Sequence, residues 1–202
     1  MKHIFKQGSP SKPTFLMLHG TGGTEQDLLP LAERIDPEAS VLSVRGNVSE
    51  NGMPRFFKRL AEGVFDMEDL KLRTEELRQY LDEASEKYGF DRHNVIAIGY
   101  SNGANIAGSL IFHYEDVLKG AILHHPMVPN RDVKLPSLKS LPVFIGAGEN
   151  DPMCTPNETN DLQQLLNQAG ANVELFWHKQ GHQLTIEEVD VAKVWYNQQF
   201  NV

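Results

Sequence analysis

The sequence holds a single cysteine, Cys154, so no disulfide can form within the chain. A chain of 202 residues without that cross-link must rest on an ordinary apolar core, and it fits a reducing compartment such as the cytoplasm. Basic residues are in deficit: 19 Lys and Arg stand against 27 Asp and Glu, a formal net charge of −8. An acidic surface disfavours nucleic acid and anionic membranes as partners. No apolar run approaches membrane-spanning length, and Met1 to Gly8 lacks the apolar core of a signal peptide. Neither H-E-x-x-H nor C-x-x-C occurs, so no metal site is expected. G-x-x-x-x-G-K-[ST] and G-x-G-x-x-G are missing too, which removes the common phosphate and dinucleotide cradles. No repeat or low-complexity tract is present. What remains is an ordinary globular composition, 40% hydrophobic and 23% charged. The expectation is one cytoplasmic domain over residues 1–202.

Apolar runs alternate with helical patterns. Thr14–Leu18, Val41–Val44, Val95–Ile98, Gly120–Leu123, Pro142–Gly146 and Asn172–Trp177 read as strands, with His3–Lys6 as a short edge strand. Helices are expected over Glu25–Ile35, Met67–Tyr88 (capped by Gly89), Ala104–Phe112, Glu158–Ala169 and Ile186–Phe200. Strands that are apolar throughout, alternating with helices, predict an α/β protein with a mostly parallel central sheet and helices on both faces. Residues 45–66 read as a long irregular stretch, too short to be a separate cap domain.

One stretch organises the rest. Gly99-Tyr100-Ser101-Asn102-Gly103 follows a strand and opens a helix, the context of a nucleophile elbow. A serine at the tip of such a turn sits in a strained backbone. The positions two before and two after it must lack bulk so that strand and helix can approach, and both are glycine. Ser101 is the nucleophile candidate.

Polar clusters sit at the carboxyl ends of the other strands, where open α/β sheets bind ligands. Gln180-Gly181-His182 follows the last strand and offers His182 as base. Gly148-Glu149-Asn150-Asp151-Pro152 follows the strand before it; Asp151, fixed by Pro152, is the favoured acid, and Glu149 the alternative. The backbone N–H of Asn102 and one from His19-Gly20-Thr21-Gly22-Gly23 are the expected oxyanion donors, Thr21 first and Gly22 next. His19 is read as shaping its loop and Cys154 as an unreactive thiol beside the acid. His124 and His125 line the pocket or serve structure. Met53, Phe56 and Phe57 either line an apolar pocket or anchor residues 45–66 to the core. Gly22, His125, Phe56 and Phe57 are therefore the candidate substrate contacts.

Leu18-His19-Gly20-x-Gly22, Gly99-Tyr100-Ser101-Asn102-Gly103-Ala104, Asp151-Pro152 and Gly181-His182 together resemble the carboxylesterase/phospholipase family of α/β-hydrolases, over nearly the whole chain. Arg45-Gly46-Asn47, Met53-Pro54-Arg55-Phe56-Phe57 and His125-Pro126-Met127-Val128-Pro129 resemble its bacterial branch of hydrolases linked to methylhydroquinone resistance. The resemblance implies a Ser101, Asp151, His182 triad and cofactor-free hydrolysis of short carboxylic esters. Family members that act on acyl-proteins or lysophospholipids usually carry glutamine after the serine, where this chain has Asn102. The expected activity is hydrolysis of small short-chain or aryl esters. The alternatives are a thioesterase or lysophospholipase, and a non-catalytic binding protein on the same fold. The expected partner is a small ester, and oligomeric state is left open, a homodimer included.

Overall fold

The computed structural model describes residues 1–200. Seven strands form the central sheet: β1 (His3–Lys6), β2 (Thr14–Leu18), β3 (Ser40–Val44), β8 (Val95–Tyr100), β9 (Gly120–His124), β10 (Pro142–Gly148) and β11 (Asn172–His178). Their spatial order is β1-β3-β2-β8-β9-β10-β11. All neighbours run parallel except the edge pair β1–β3. The apolar runs divide by parity. Phe15, Met17, Ile96, Ile98, Ile122 and Phe144 face one side of the sheet, where α1 (Leu29–Ile35) and α5 (Ile186–Phe200) cover them. Leu16, Leu18, Ala97, Leu123 and Ile145 face the other, beneath α2 (Met67–Tyr88), α3 (Asn102–His113) and α4 (Pro156–Gln168). Burial on both faces is why these strands carry no polar alternation.

After β3 the chain crosses back over β2 to place β8 on its far side. The direction of winding reverses between β2 and β8, and a ligand crevice opens at such a point. The loops leaving these two strands carry His19–Gly23 and Ser101.

Two segments depart from the sequence reading. The helix expected from Glu25 begins only at Leu29. Thr24 and Asp27 close a turn on each other, the Thr24 hydroxyl donating to Asp27 at 2.8 Å. The Glu25 carboxylate is buried against Arg45 and Lys2, so the helix starts later, with Pro30 in its first turn. Residues 45–66 are not irregular. They fold as two small hairpins, β4 (Val48–Glu50) with β5 (Met53–Arg55) and β6 (Arg59–Ala61) with β7 (Val64–Phe65). Asn51 (φ 52°) and Gly52 (φ 82°) make the first turn left-handed at both central positions, the demand that the Asn-Gly pair meets.

Candidate active site

Ser101 sits at φ 52°, ψ −113°, a backbone conformation costly for any residue with a side chain. The surrounding glycines explain how it is held. A Cβ on Gly103 would lie 1.9 Å from the Leu18 carbonyl oxygen, and one on Gly99 would lie 2.6 Å from the Ala104 nitrogen. β2, β8 and α3 therefore meet closer than side chains allow. The hydroxyl of Ser101 is thrust out at the sheet's carboxyl edge, where it lies 2.7 Å from His182 Nε2.

His182 Nδ1 lies 2.7 Å from Asp151 Oδ2. With Nδ1 donating to the carboxylate, Nε2 is left to accept from the serine. The Tyr100 hydroxyl donates to the His182 carbonyl at 2.7 Å and so ties the His182 loop to the strand that carries Ser101. Asp151 is buried at the end of β10, and both its oxygens are fully engaged. Oδ1 accepts the Met153 and Cys154 backbone N–H groups at 2.8 and 2.9 Å, and Oδ2 accepts from His182 and His125 at 2.7 and 2.9 Å. Burial alone would raise its pKa, but these donors outweigh burial and hold the carboxyl below its ordinary range. Glu149 is exposed and makes none of these contacts.

Thr21 and Asn102 both border the cavity that holds Ser101 and His182. Asn102 is the first residue of α3, so its N–H belongs to the unpaired donors of a helix start. Its side-chain oxygen accepts the Phe56 N–H at 2.7 Å, which fastens residues 45–66 to the elbow. The Thr21 hydroxyl accepts from Arg55 at 2.6 Å. His19 shapes the loop: Nδ1 donates to the Gly20 carbonyl at 2.6 Å, and Nε2 accepts the Gly46 N–H at 3.0 Å. Burial lowers its pKa, which keeps the ring neutral for that pair of bonds.

The four expected substrate contacts lie elsewhere. Phe56 and Phe57 are 1% and 0% exposed and belong to the main core. They anchor the hairpins, because two phenyl groups gain more from the apolar interior than from a wet cavity wall. Gly22 spends its N–H on the Pro54 carbonyl at 2.9 Å, so it is not the alternate oxyanion donor, and it does not border the cavity. His125 is wholly buried behind Asp151. Arg55, Arg59, Phe65, Met127 and Met153 line the cavity with Ser101, and the sequence reading assigned none of them to the pocket. The Asn51-Gly52 hairpin signal was the cue to the strand that positions Arg55. No local signal pointed to Glu188, which reaches the His125 cluster from α5. Cys154 borders the cavity but donates its thiol to the His125 carbonyl at 3.1 Å, and burial pushes its pKa up. That makes it a poor nucleophile.

Glu50 bridges the two arginines. Arg59 Nη2 reaches Glu50 at 2.7 Å and Arg55 Nε at 3.3 Å. One carboxylate between two guanidinium groups leaves a net positive charge at the cavity wall.

Comparison with known proteins places the chain in a family. The family model described as the dienelactone hydrolase family matches residues 49–199. The hydrolase-named protein MhqD of Bacillus subtilis (strain 168) is 59% identical over 198 residues, covering 98% of both chains. The crystal structure of a Bacillus cereus carboxylesterase is 63% identical with a TM-score of 0.97, over 98% of this chain and 94% of that one. YahD, solved with malic acid, is 34% identical with a TM-score of 0.94, over 98% of each chain. Among the described residues no helix is long and apolar enough to cross a membrane. With the elbow at the switch point of a parallel sheet and these relatives spanning nearly its full length, the chain is a hydrolase of the α/β-hydrolase fold and belongs to the dienelactone hydrolase family.

Proposed function

We propose that this hydrolase is a serine carboxylesterase acting on small carboxylic esters. The observation that carries the reading is the unbroken chain Ser101 Oγ to His182 Nε2 to Asp151 Oδ2, each link 2.7 Å, opening on one small cavity. Ser101 Oγ attacks the ester carbonyl while His182 Nε2 takes its proton. The oxyanion forms beside the N–H groups of Thr21 and Asn102. His182 then passes the proton to the leaving alkoxide, and the acyl group stays on Ser101. Water repeats the sequence: His182 takes its proton, hydroxide adds to the acyl carbonyl, and the acid leaves as Ser101 recovers its proton. Asp151 keeps His182 in the tautomer that accepts at Nε2 and stabilises its charged form.

The cavity measures about 30 Å³, far below the several hundred that hold drug-sized ligands. That favours a short acyl group over the long chain of a lysophospholipid or an acyl-protein thioester. The test is kcat/KM for p-nitrophenyl esters and the matching thioesters from acetyl to palmitoyl. A maximum at acetyl to butyryl oxygen esters is expected; a maximum at long chains or at thioesters would replace this reading with its alternative.

A second reading within the same chemistry comes from the positive cavity wall: an acyl group that itself bears a carboxylate. Arg59 is the more exposed of the two guanidinium groups, and malic acid, the compound present with YahD, is a dicarboxylic acid. Arg59→Gln is expected to lower kcat/KM roughly tenfold for a monoester of a dicarboxylic acid, the worth of one hydrogen bond to a charged group. The neutral ester of equal length should be unaffected. An equal loss on both substrates would assign Arg59 to holding the hairpin.

A further inference from the structure

Behind Asp151 lies a second layer of buried ionisable groups that the reaction scheme above leaves unused. His124, His125, Glu188 and Asp151 are all fully or nearly fully buried, and His178 is close to it. Glu188 Oε1 faces His124 Nδ1 at 2.5 Å, and its Oε2 faces His125 Nε2 at 3.2 Å and His178 Nε2 at 3.3 Å. His125 Nδ1 faces Asp151 Oδ2 at 2.9 Å. Both nitrogens of one ring thus point at carboxylate oxygens inside the protein.

The fold makes room for this arrangement at a cost. Gly146 interrupts an apolar strand, and a Cβ there would lie 1.9 Å from Glu188 Oε1. A glycine mid-strand weakens the strand, yet here it is the slot that admits the carboxylate. His125 itself sits at φ 53°, a positive φ that is uncommon outside glycine. A strained, buried, non-glycine residue at the carboxyl end of a strand is a mark of function more than of packing.

The proton positions follow from the partners. His178 Nδ1 accepts the Gln180 N–H at 3.2 Å, so its Nε2 carries the hydrogen. That nitrogen lies 3.3 Å from Glu188 Oε2 and 3.4 Å from His125 Nε2, and the anionic oxygen is the stronger acceptor for its hydrogen. If His125 were neutral with Nδ1–H on Asp151, its Nε2 lone pair would face a carboxylate. A proton on both nitrogens turns each of them toward a carboxylate oxygen, with Glu188 Oε2 accepting from both His125 and His178. The same tautomer of His178 opposes a metal ion at the His125–His178–Glu188 triangle, since a ligating Nε2 would move the proton to Nδ1, against the Gln180 N–H.

We propose that His125 is held as an imidazolium between Asp151 and Glu188, and that this buried cation is a positioning residue for the Asp151–His182 pair. The proposal rests on the triad assigned above. The groups around the His125 ring are Tyr100 on β8, Asp151 after β10, His178 on β11, His182 before α5 and Glu188 on α5; His124 on β9 shares Glu188, and the Cys154 thiol meets the His125 carbonyl. Burial pushes its pKa down, but the carboxylates of Glu188 and Asp151 outweigh burial and raise it. The cation does two things. It pins Asp151 Oδ2, the oxygen on which His182 depends. It also sets a positive charge against the Asp151 carboxylate, which weakens that carboxylate's attraction for a charged imidazole relative to an unpartnered Asp151.

The direct test is ¹⁵N-histidine NMR of the intact protein, which needs no turnover. Both ring nitrogens of His125 are expected to stay protonated from pH 5 to 9; an unprotonated nitrogen at pH 7 overturns the proposal. Glu188→Gln is expected to let His125 lose one ring proton within that range, and an unchanged doubly protonated ring there also overturns it. The kinetic arm is His125→Asn, which keeps an N–H toward Asp151 and removes the charge. Its kcat is expected to fall about tenfold at pH 6.5 with KM within twofold, and the acid limb of the kcat/KM profile to move up by roughly one unit. An unmoved acid limb in a variant with native circular dichroism overturns the positioning role. Ester hydrolysis that persists in Ser101→Ala would instead remove the triad, an outcome that leaves the NMR result on His125 untouched.

Discussion

Replacing Asp151 by asparagine isolates the acid, because it changes a charge and a hydrogen-bond pattern without changing shape. Each carboxylate oxygen accepts two donors: Met153 and Cys154 N–H on one, His182 and His125 on the other. An asparagine has one acceptor and one donor end, so two donors must face its NH₂ whichever way the amide turns. Turned toward the backbone, the NH₂ would leave the part-buried Met153 N–H and the buried Cys154 N–H without that acceptor, the buried one at a cost of about 1–3 kcal/mol. Turned toward the histidines, it meets partners that can adjust: His182 can move its proton from Nδ1 to Nε2, and His125, no longer facing a carboxylate there, can give up the proton on Nδ1. The second arrangement is therefore expected. It puts an N–H where Ser101 needs an acceptor. In the serine-protease template the same change costs about 10⁴ in kcat, which is about 5.5 kcal/mol of transition-state stabilisation. The assay is p-nitrophenyl acetate turnover with fluorophosphonate labelling of Ser101, alongside Glu149→Gln as an exposed control. A fall of three to four orders of magnitude in Asp151→Asn, with Glu149→Gln near wild type, is expected. Activity within tenfold of wild type in Asp151→Asn, with the fold intact, would falsify the acid assignment.

Other expectations follow from the same geometry. Phe56→Ala and Phe57→Ala each remove a fully buried phenyl group, so urea unfolding should show a loss of about 3–5 kcal/mol; a shifted acyl-chain profile at unchanged stability would return these residues to the pocket. Ser101→Gly relieves a positive φ and should abolish labelling while raising the free energy of unfolding by about 1 kcal/mol; a drop in stability would argue that the elbow is not strained. The Glu188 carboxyl is held at about 2 by its histidine partners, which outweigh the opposing effect of burial. A depressed folded-state value means its contribution to stability is fully present above the unfolded value of about 4.3 and is lost as pH falls towards 2. Acid unfolding should therefore steepen across that window in wild type and flatten in Glu188→Gln; identical acid limbs in the two proteins would refute it.

The line between what the residues disclose and what the fold alone decides runs through particular positions. The apolar strands were legible because a sheet buried on both faces admits no polar alternation, and the long helix Met67–Tyr88 was legible from its period and from the left-handed cap at Gly89 (φ 71°). The glycines around Ser101 were legible too, because a Cβ at Gly103 or Gly99 would fall 1.9 or 2.6 Å from backbone atoms of β2 or α3, and only its absence lets β2, β8 and α3 meet. Those features are local, and local sterics are written in the sequence. Hairpins of two or three residues per strand, as in β4 to β7, show too little alternation to register as strands. Which side of residues 45–66 meets the cavity depended on the Asn102 side chain gripping the Phe56 N–H, a contact 46 residues apart. That grip buries Phe56 and Phe57 and turns Arg55 and Arg59 to the cavity instead. The His125 cluster is more distant still, with Glu188 arriving from a helix 63 residues along the chain. Sequence determined the strand order's raw material and the elbow through backbone geometry that single residues enforce. Tertiary structure decided which polar groups share a buried space, because their ionisation and hydrogen bonding depend on neighbours that only the closed sheet brings together.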